Sequence, residues 1–449
     1  MAFAKIALTP ICFATALLVS NAHAQTKPQV VNPPKTILWM DVSTGGMAGM
    51  PEIEIPGMGN LMGGLMGAMG KSSDAKSTGK EYYGMARTFH IMPPRIVDVA
   101  LWNGLKPNTE AAQRIPAGMK MGDKLPLLPV DPERVAEPGK PGSTGTYDYE
   151  PPKGRLLFYW GCGTNVRSGQ PRILDLSKLT ADSMQAFGNE FSGRYAPDRG
   201  AKVKPGYDVF PNERDKRGLP KGASLVGEHQ IVGDGVPESF KFTLNAAQDV
   251  MPPIELQSHG GLKDSIALEW AAVTNAKGYF LNAMAVQGED MIFWSSSEQP
   301  DSGFGLFDYL SNANIDKWVK DKVLLASSVN KCAVPQGIFD AKADTVRSKG
   351  RDGGGAFLRM VAYGGEHGFV HPPRPTDVKI PWDQEWSVRL RVKSQTMAML
   401  GQDIMPSRDT SQNMPQDEQN KEAPKDPADK NPLNNVPGAV NLLKGLFGR

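Results

Sequence analysis

Met58, Met62, Met66 and Met69 recur at three- and four-residue intervals, with Met47 and Met50 just upstream. Thioether sulfur is a soft donor that selects Cu(I), so this run is a candidate copper site. Six glycines lie between positions 57 and 70. Each costs a helix about 1 kcal/mol, so the sulfurs would have to wrap a metal from a loop. The competing expectation is an apolar loop packed on a partner surface, where methionine adapts well. His367 and His371, with Glu366 beside them, are the other candidate metal ligands, since two imidazoles and a carboxylate suit zinc. Gly364, Gly365, Gly368 and Pro372 place that pair on a loop, where a four-residue spacing does not bring the rings together.

Arg194, Arg199, Lys202, Lys204, Arg214, Lys216 and Arg217, followed by Lys221, outnumber the acids among them and are interleaved with Tyr195, Tyr207 and Phe210. Such a patch suits an anionic polysaccharide or lipid head group. Its carboxylates, Asp198, Asp208, Glu213 and Asp215, are candidates for a glycosidase acid and base, a role that requires a defined carboxyl separation. No Gly-x-Ser-x-Gly motif marks a nucleophile elbow. Gly64 and Gly70 enclose five residues before Lys71, where a phosphate loop requires four, so nucleotide binding is not expected. With 50 Lys and Arg against 48 Asp and Glu, the net charge of +2 argues against a nucleic-acid binder.

The elements that would position these residues are short strands. The 449 residues include 48 Gly and 37 Pro, about one and a half times their usual combined share, which points away from a helical protein. β-branched and aromatic runs bounded by Gly and Pro predict strands at 36–42, 87–91, 96–102, 155–160, 224–232, 239–244, 265–270, 279–286, 291–295, 356–363 and 385–392. Helices are predicted at 181–191 behind Thr180 and at 315–324 behind Asn314. The expected fold is mainly β, with two sandwich-like domains, one or two short helices and long disordered segments.

The chain opens with Lys5, an apolar run over Ile6–Val19 and then Ala22-His23-Ala24, the pattern of a secretory signal peptide covering residues 1–24. The run is too short, at 14 residues against about 20, to span a bilayer, and no other span is expected. Cleavage leaves Cys162 and Cys332, an even pair that an oxidising compartment permits to bridge. An N-terminal β-rich domain is expected over 25–250, carrying a Met/Gly-rich loop at 43–80 and a Pro/Gly-rich loop at 131–152. A second domain is expected over 251–400. Residues 401–435 have the composition of a disordered linker. Val436, Val440, Leu443 and Phe447 give 436–449 the stripe of a short amphipathic helix behind Pro437.

The segment LKDSIALEWAAVTNAKGYFLNAMAV, with Ile266, Leu268 and Trp270 alternating and Tyr279 and Leu281 following, resembles the second and third strands of a fibronectin type III sandwich. KCAVPQGIF, AFLRMVAYG and EWSVRLRVKSQ resemble its later strands, so the resemblance covers about residues 262–395. It departs from the family at FDYLSNANIDKWVKDKVLL, where a helix is inserted. The resemblance implies architecture, in a class that more often spaces and binds than catalyses. The reading is a periplasmic or secreted, envelope-associated binding or structural protein without catalytic activity. Its partner would be an envelope polysaccharide, a membrane surface or another protein, with no nucleic acid. The alternatives are a copper-binding periplasmic protein using the Met run and a polysaccharide-acting hydrolase.

Overall fold

The computed structural model describes residues 28–50, 82–130, 154–191, 194, 198–340 and 355–405. The signal-like segment, the methionine run 58–69 and the C-terminal stripe lie outside them. In chain order the strands begin with β1 (Val31–Asn32), β2 (Thr36–Thr44), β3 (Arg95–Asn103), β4 (Ala111–Arg114), β5 (Lys124–Pro129), β6 (Arg155–Trp160) and β7 (Arg172–Asp175). Helix α1 (Ala181–Phe191) precedes β8 (Tyr207–Phe210), β9 (Gly227–Gly233), β10 (Lys241–Leu244), β11 (Leu256–His259), β12 (Ile266–Trp270), β13 (Gly278–Gln287) and β14 (Asp290–Ser295). Helix α2 (Asn312–Lys320) is followed by β15 (Leu325–Ala326), β16 (Lys331–Val334), β17 (Ala356–His371), β18 (Trp382–Asp383) and β19 (Trp386–Leu400). The fold is mainly β, with two α-helices among the described residues.

Fourteen strands form one sheet in the order β10-β9-β4-β5-β8-β3-β2-β19-β17-β13-β14-β6-β7, with β15 against β13. The sheet crosses position 250 twice, because β2 runs parallel to β19 and β6 runs parallel to β14. A separate three-stranded sheet, β11-β12-β16, contributes Leu256, Ile266, Leu268, Trp270 and Val334 to the same core as Tyr279, Leu281, Leu358 and Met360 of the large sheet. Trp270 stands edge-on to Tyr279 with ring centres 5.5 Å apart, and the Tyr279 hydroxyl accepts from the Val273 N–H. Three satellite clusters lie outside this core among the described residues, one of them built on Ala100, Ala201 and Tyr207. Ile315 and Trp318 of α2 pack on Phe280, Val361 and Tyr363, while Phe187 and Phe191 of α1 pack on Phe158.

Alternation along the central strands sorts their side chains with period two. Leu38, Met40 and Val42 of β2, Val97, Val99 and Leu101 of β3, and Val388, Leu390 and Val392 of β19 all enter the main core. The opposite face carries Asp41 and Ser43, Asp98, and Arg391, Lys393 and Gln395. This polar face is also buried.

Three local expectations are corrected. Residues 87–91 form no strand; Met85–Arg87 is a 3-10 turn with irregular chain after it. Helix α2 starts three residues earlier than predicted, because the Ser311 hydroxyl rather than Asn314 caps it, and it stops before Lys322, which adopts a left-handed φ of 58°. The Gly364–His371 stretch is strand rather than loop. A bulge between Tyr363 and Gly365 absorbs the glycines, with Gly365 at φ 90°, and the ladder to β19 then continues through His371. The described parts of two segments expected to be loops are also tied to neighbouring strands, since Met47 bridges to Met397 and Ile404 to Ser258.

Candidate functional site

The chemistry-bearing side chains that the fold concentrates lie on the buried polar face of β3, β2, β19 and β17. The register places Asp98, Asp41, Arg391 and Glu366 in one row across those four strands. Arg391 grips Asp41 bidentately, at 2.6 and 2.5 Å, with both side chains about 2% exposed. Chain segments 82–90, 198–201 and 306–309 cover the row, and polar groups of the sheet hold the first and last of them down. Asp98 Oδ2 accepts the N–H groups of Ala86 at 2.8 Å and Gly84 at 3.1 Å. Lys393 Nζ donates to the carbonyls of Arg87 and Phe307, both at 3.2 Å. Gln395 Nε2 donates to the Thr88 carbonyl at 2.8 Å. Arg87 in turn bridges Asp198 at 2.9 Å and Asp308 at 2.6 Å. Tyr309 seals the layer, with the Arg391 and Lys393 cations 4.6 and 4.8 Å from its ring centre.

Asp41 pairs with Arg391, Asp198 and Asp308 with Arg87, and Glu366 with Arg199 and Arg389, while Asp98 faces no cation at ion-pair distance among the described residues. Burial pushes Asp98 up to about 8, opposed by the N–H of Ala86 and reinforced by the Asp41 charge directly across the strand pair. Burial pulls Lys393 down to about 8 against the attraction of Asp308 and Asp41. Burial also disfavours ionised Asp308, but the hydrogen bond and charge of Arg87 outweigh it and hold that carboxyl below its ordinary value. Asp98 Oδ1 has no hydrogen-bond partner among the described residues.

At the edge of the layer, His90 Nε2 lies 2.9 Å from Ser43 Oγ, and its Nδ1 lies 3.0 Å from the Pro93 carbonyl. With the proton on Nδ1 the ring accepts from Ser43, the contact a base makes to a nucleophile. Burial drags His90 down to about 4, so the imidazole is neutral. Ser43 is itself fully buried and also accepts from Gln395 Nε2 at 3.2 Å.

Comparison with protein-family models, curated proteins and solved structures finds no match. The site is therefore read from its own geometry.

The residues singled out from sequence are distributed as follows. Arg199 pairs with Glu366 at 2.8 Å, Arg214 with Glu110, and Arg217 with Asp215 at 2.7 Å. Arg194 reaches Asp301 and the Pro300 carbonyl. Lys216 stands 4.3 Å from the Tyr82 ring centre, and Lys202 and Lys204 are exposed. Asp198 lies over the polar layer. Asp208, on β8 opposite Leu101, points to the other face of the sheet, where burial lifts it to about 7. The fold thus does not bring Asp198 and Asp208 together. His367 and His371 share one face of β17, about 13 Å apart along the strand at ~3.3 Å per residue. His371 stacks on Trp386, with ring centres 5.4 Å apart. No group of three or more potential ligands among His, Cys, Asp and Glu is found among the described residues. Met58, Met62, Met66 and Met69 lie outside the described residues. Cys162 and Cys332 are joined as a disulfide, their Cα atoms 5.2 Å apart.

The sequence reading missed Asp41, Asp98, Lys393 and the Ser43–His90 contact. A signal was present, because ILWMDVST and RIVDVALW each carry an aspartate inside an apolar run and VRLRVKSQ alternates three cations with apolar residues. A charge in that position must be paired or neutralised. Chemically, the layer clamps covering segments to the sheet and keeps a protonated carboxyl among ion pairs.

Proposed function

We propose that this protein is an envelope-associated binding or structural module, exported to an oxidising compartment and without catalytic activity. The observation that carries the reading is the Cys162–Cys332 disulfide, which joins positions 170 apart in sequence. Such bonds persist outside the reducing cytosol, in keeping with the signal-like pattern of residues 1–24. Several of the charged groups that suggested hydrolysis or polyanion binding are engaged in ion pairs, as in Arg199–Glu366, Arg217–Asp215 and Arg87–Asp198, which favours a scaffold reading.

A fibronectin type III-like sandwich over about 262–395 is part of the proposal. Support comes from the strand order, with β11-β12-β16 packed across a shared core from β14-β13-β17-β19, the three-on-four arrangement of that family. The test is to express the full chain with its own leader in a bacterium, fractionate the cells and alkylate thiols before and after reduction. The expected result is protein in the periplasmic or envelope fraction whose two cysteines label only after reduction. Cytosolic protein with freely labelled cysteines overturns the proposal.

A further inference from the structure

The tip of the β17–β19 hairpin carries an apolar pad without a cover. Val30 and Val31 are 59% and 47% exposed, and Val378 and Ile380 are 48% and 53% exposed. These are four of the ten exposed large hydrophobics on the described surface, gathered on two adjacent stretches, 28–35 and 372–383. Scattered single exposed apolar residues are ordinary, whereas a cluster on one element marks an interaction surface.

The pad is braced. Strand β1 pairs in parallel with β18, Val31 against Trp382, and the Trp382 N–H donates to the Val30 carbonyl at 2.8 Å. Gln29 Nε2 donates to the Ile380 carbonyl at 2.9 Å, and Arg374 Nε donates to Gln29 Oε1 at 2.7 Å. The Asp377 carboxylate accepts the Lys379 N–H, and the Asp377 carbonyl accepts the Ile380 N–H, fixing the turn that lifts Val378 and Ile380 outward. The side chains are therefore held in place while facing water.

The cations around the pad outnumber the acids three to two. Lys35, Arg374 and Lys379 are exposed on the two stretches, against Asp377 and Asp383. Asp377 is occupied by its own turn and Asp383 accepts from Asn32. Lys35 and Lys379 pair with no carboxylate among the described residues. Trp382 is half-buried at the margin, its indole N–H donated to the Pro372 carbonyl and its ring under the Arg374 guanidinium. Aliphatic side chains at the centre, lysine and arginine around them and a tryptophan at the border are the composition of a surface that seats in a lipid interface. The unpaired lysines select anionic head groups.

We propose that this hairpin tip docks the protein on an anionic bilayer surface, inserting Val30, Val31, Val378 and Ile380 to the depth of the head groups. The inference rests on the envelope reading above and names its partner. The test is flotation of the purified, disulfide-intact full chain with vesicles of phosphatidylglycerol and phosphatidylethanolamine, beside vesicles of phosphatidylcholine alone. Expected is binding to the anionic vesicles that falls at least tenfold on phosphatidylcholine or at high salt. The V378D/I380D variant should lose it at least tenfold. I173D, which alters a similarly exposed residue on β7, should bind as the parent does. Absence of flotation, equal binding to both vesicles, or unchanged binding by V378D/I380D overturns the proposal, including in favour of a protein partner for the pad. Export and thiol oxidation are read without vesicles, so failure of flotation leaves the envelope reading separately testable.

Discussion

Asp98 and Asp41 stand opposite each other on β3 and β2, and two carboxylates in register repel unless one is neutral or paired. Arg391 takes Asp41, and Asp98 keeps its proton, giving two predictions. Asp98 is held at about 8 against an ordinary 3.8, so between about pH 4 and 8 the folded chain binds a proton that the unfolded chain has released. Stability then falls as pH rises through that window, by at most about 1.4 kcal/mol per pH unit from this group. Lys393, held at about 8 against 10.5, acts in the next window: above pH 8 the unfolded amine holds the extra proton, and stability recovers. Asp98→Asn should flatten the fall between pH 5 and 8, read from urea midpoints at several pH values. Parallel curves for parent and variant would refute a protonated Asp98. The second prediction concerns the pair itself. Asp41→Asn leaves the Arg391 guanidinium buried without its counter-charge and should cost about 3–5 kcal/mol. Asp41→Leu combined with Arg391→Met removes both charges and should unfold at a higher urea concentration than Asp41→Asn, because no ion is left stranded. If the double variant is the weaker of the two, a stranded guanidinium costs less here than two apolar side chains set in the polar layer.

Among elements, β12 and β13 test how the two sheets meet. Trp270 of β12 is 3% exposed and stands edge-on to Tyr279 of β13, so it spans the gap between the three-stranded sheet and the large one. Trp270→Ala should cost about 3–5 kcal/mol in chemical unfolding. A near-neutral result would mean that the small sheet is not packed as described. Elements of this kind were legible in the sequence because Ile266, Leu268 and Trp270 alternate cleanly with Ala267 and Glu269, and β6 and α1 were legible to the residue for similar reasons. Strands β4, β5, β7 and β8 were not, since four to six residues containing Pro or charge give alternation too little length to register. The length of β17 was hidden by its glycines. The bulge at Gly365 holds the strand in register where composition reads as a loop. The site was least legible, because Asp41, Asp98 and the Arg391–Lys393 pair are far apart in sequence and only the β2–β3 and β2–β19 pairings set them side by side.

At the scale of the whole molecule, the chain is threaded so that early strands flank late ones on both sides. β2 and β3 extend the sheet beyond β19, and β6 and β7 extend it beyond β14. Such long-range pairing makes closure entropy a large cost, and the disulfide acts on that cost. It links Cys162, just beyond β6, to Cys332 on β16, so it ties an edge region of the large sheet to the small sheet. A loop of this length implies up to about 5 kcal/mol in the chain-entropy picture, with about 2–5 kcal/mol typical when a native bridge is removed. The neighbouring contacts do not depend on the bond. Gly163 N–H donates to the Ala333 carbonyl and Gln336 N–H to the Thr164 carbonyl, both at 2.9 Å, while Arg167 pairs with Glu298 at 2.7 Å. Cys162→Ala/Cys332→Ala should therefore retain the native circular dichroism spectrum and native amide protection at Gly163 and Gln336. Its unfolding midpoint should fall by an amount corresponding to roughly 2–5 kcal/mol. If the bridge acts through the unfolded chain, the loss should appear mainly as slower refolding or a more expanded denatured state rather than as local opening of residues 161–167. Early exchange confined to that loop, with the global midpoint unchanged, would show instead that the bond merely pins a surface segment and carries none of the closure cost.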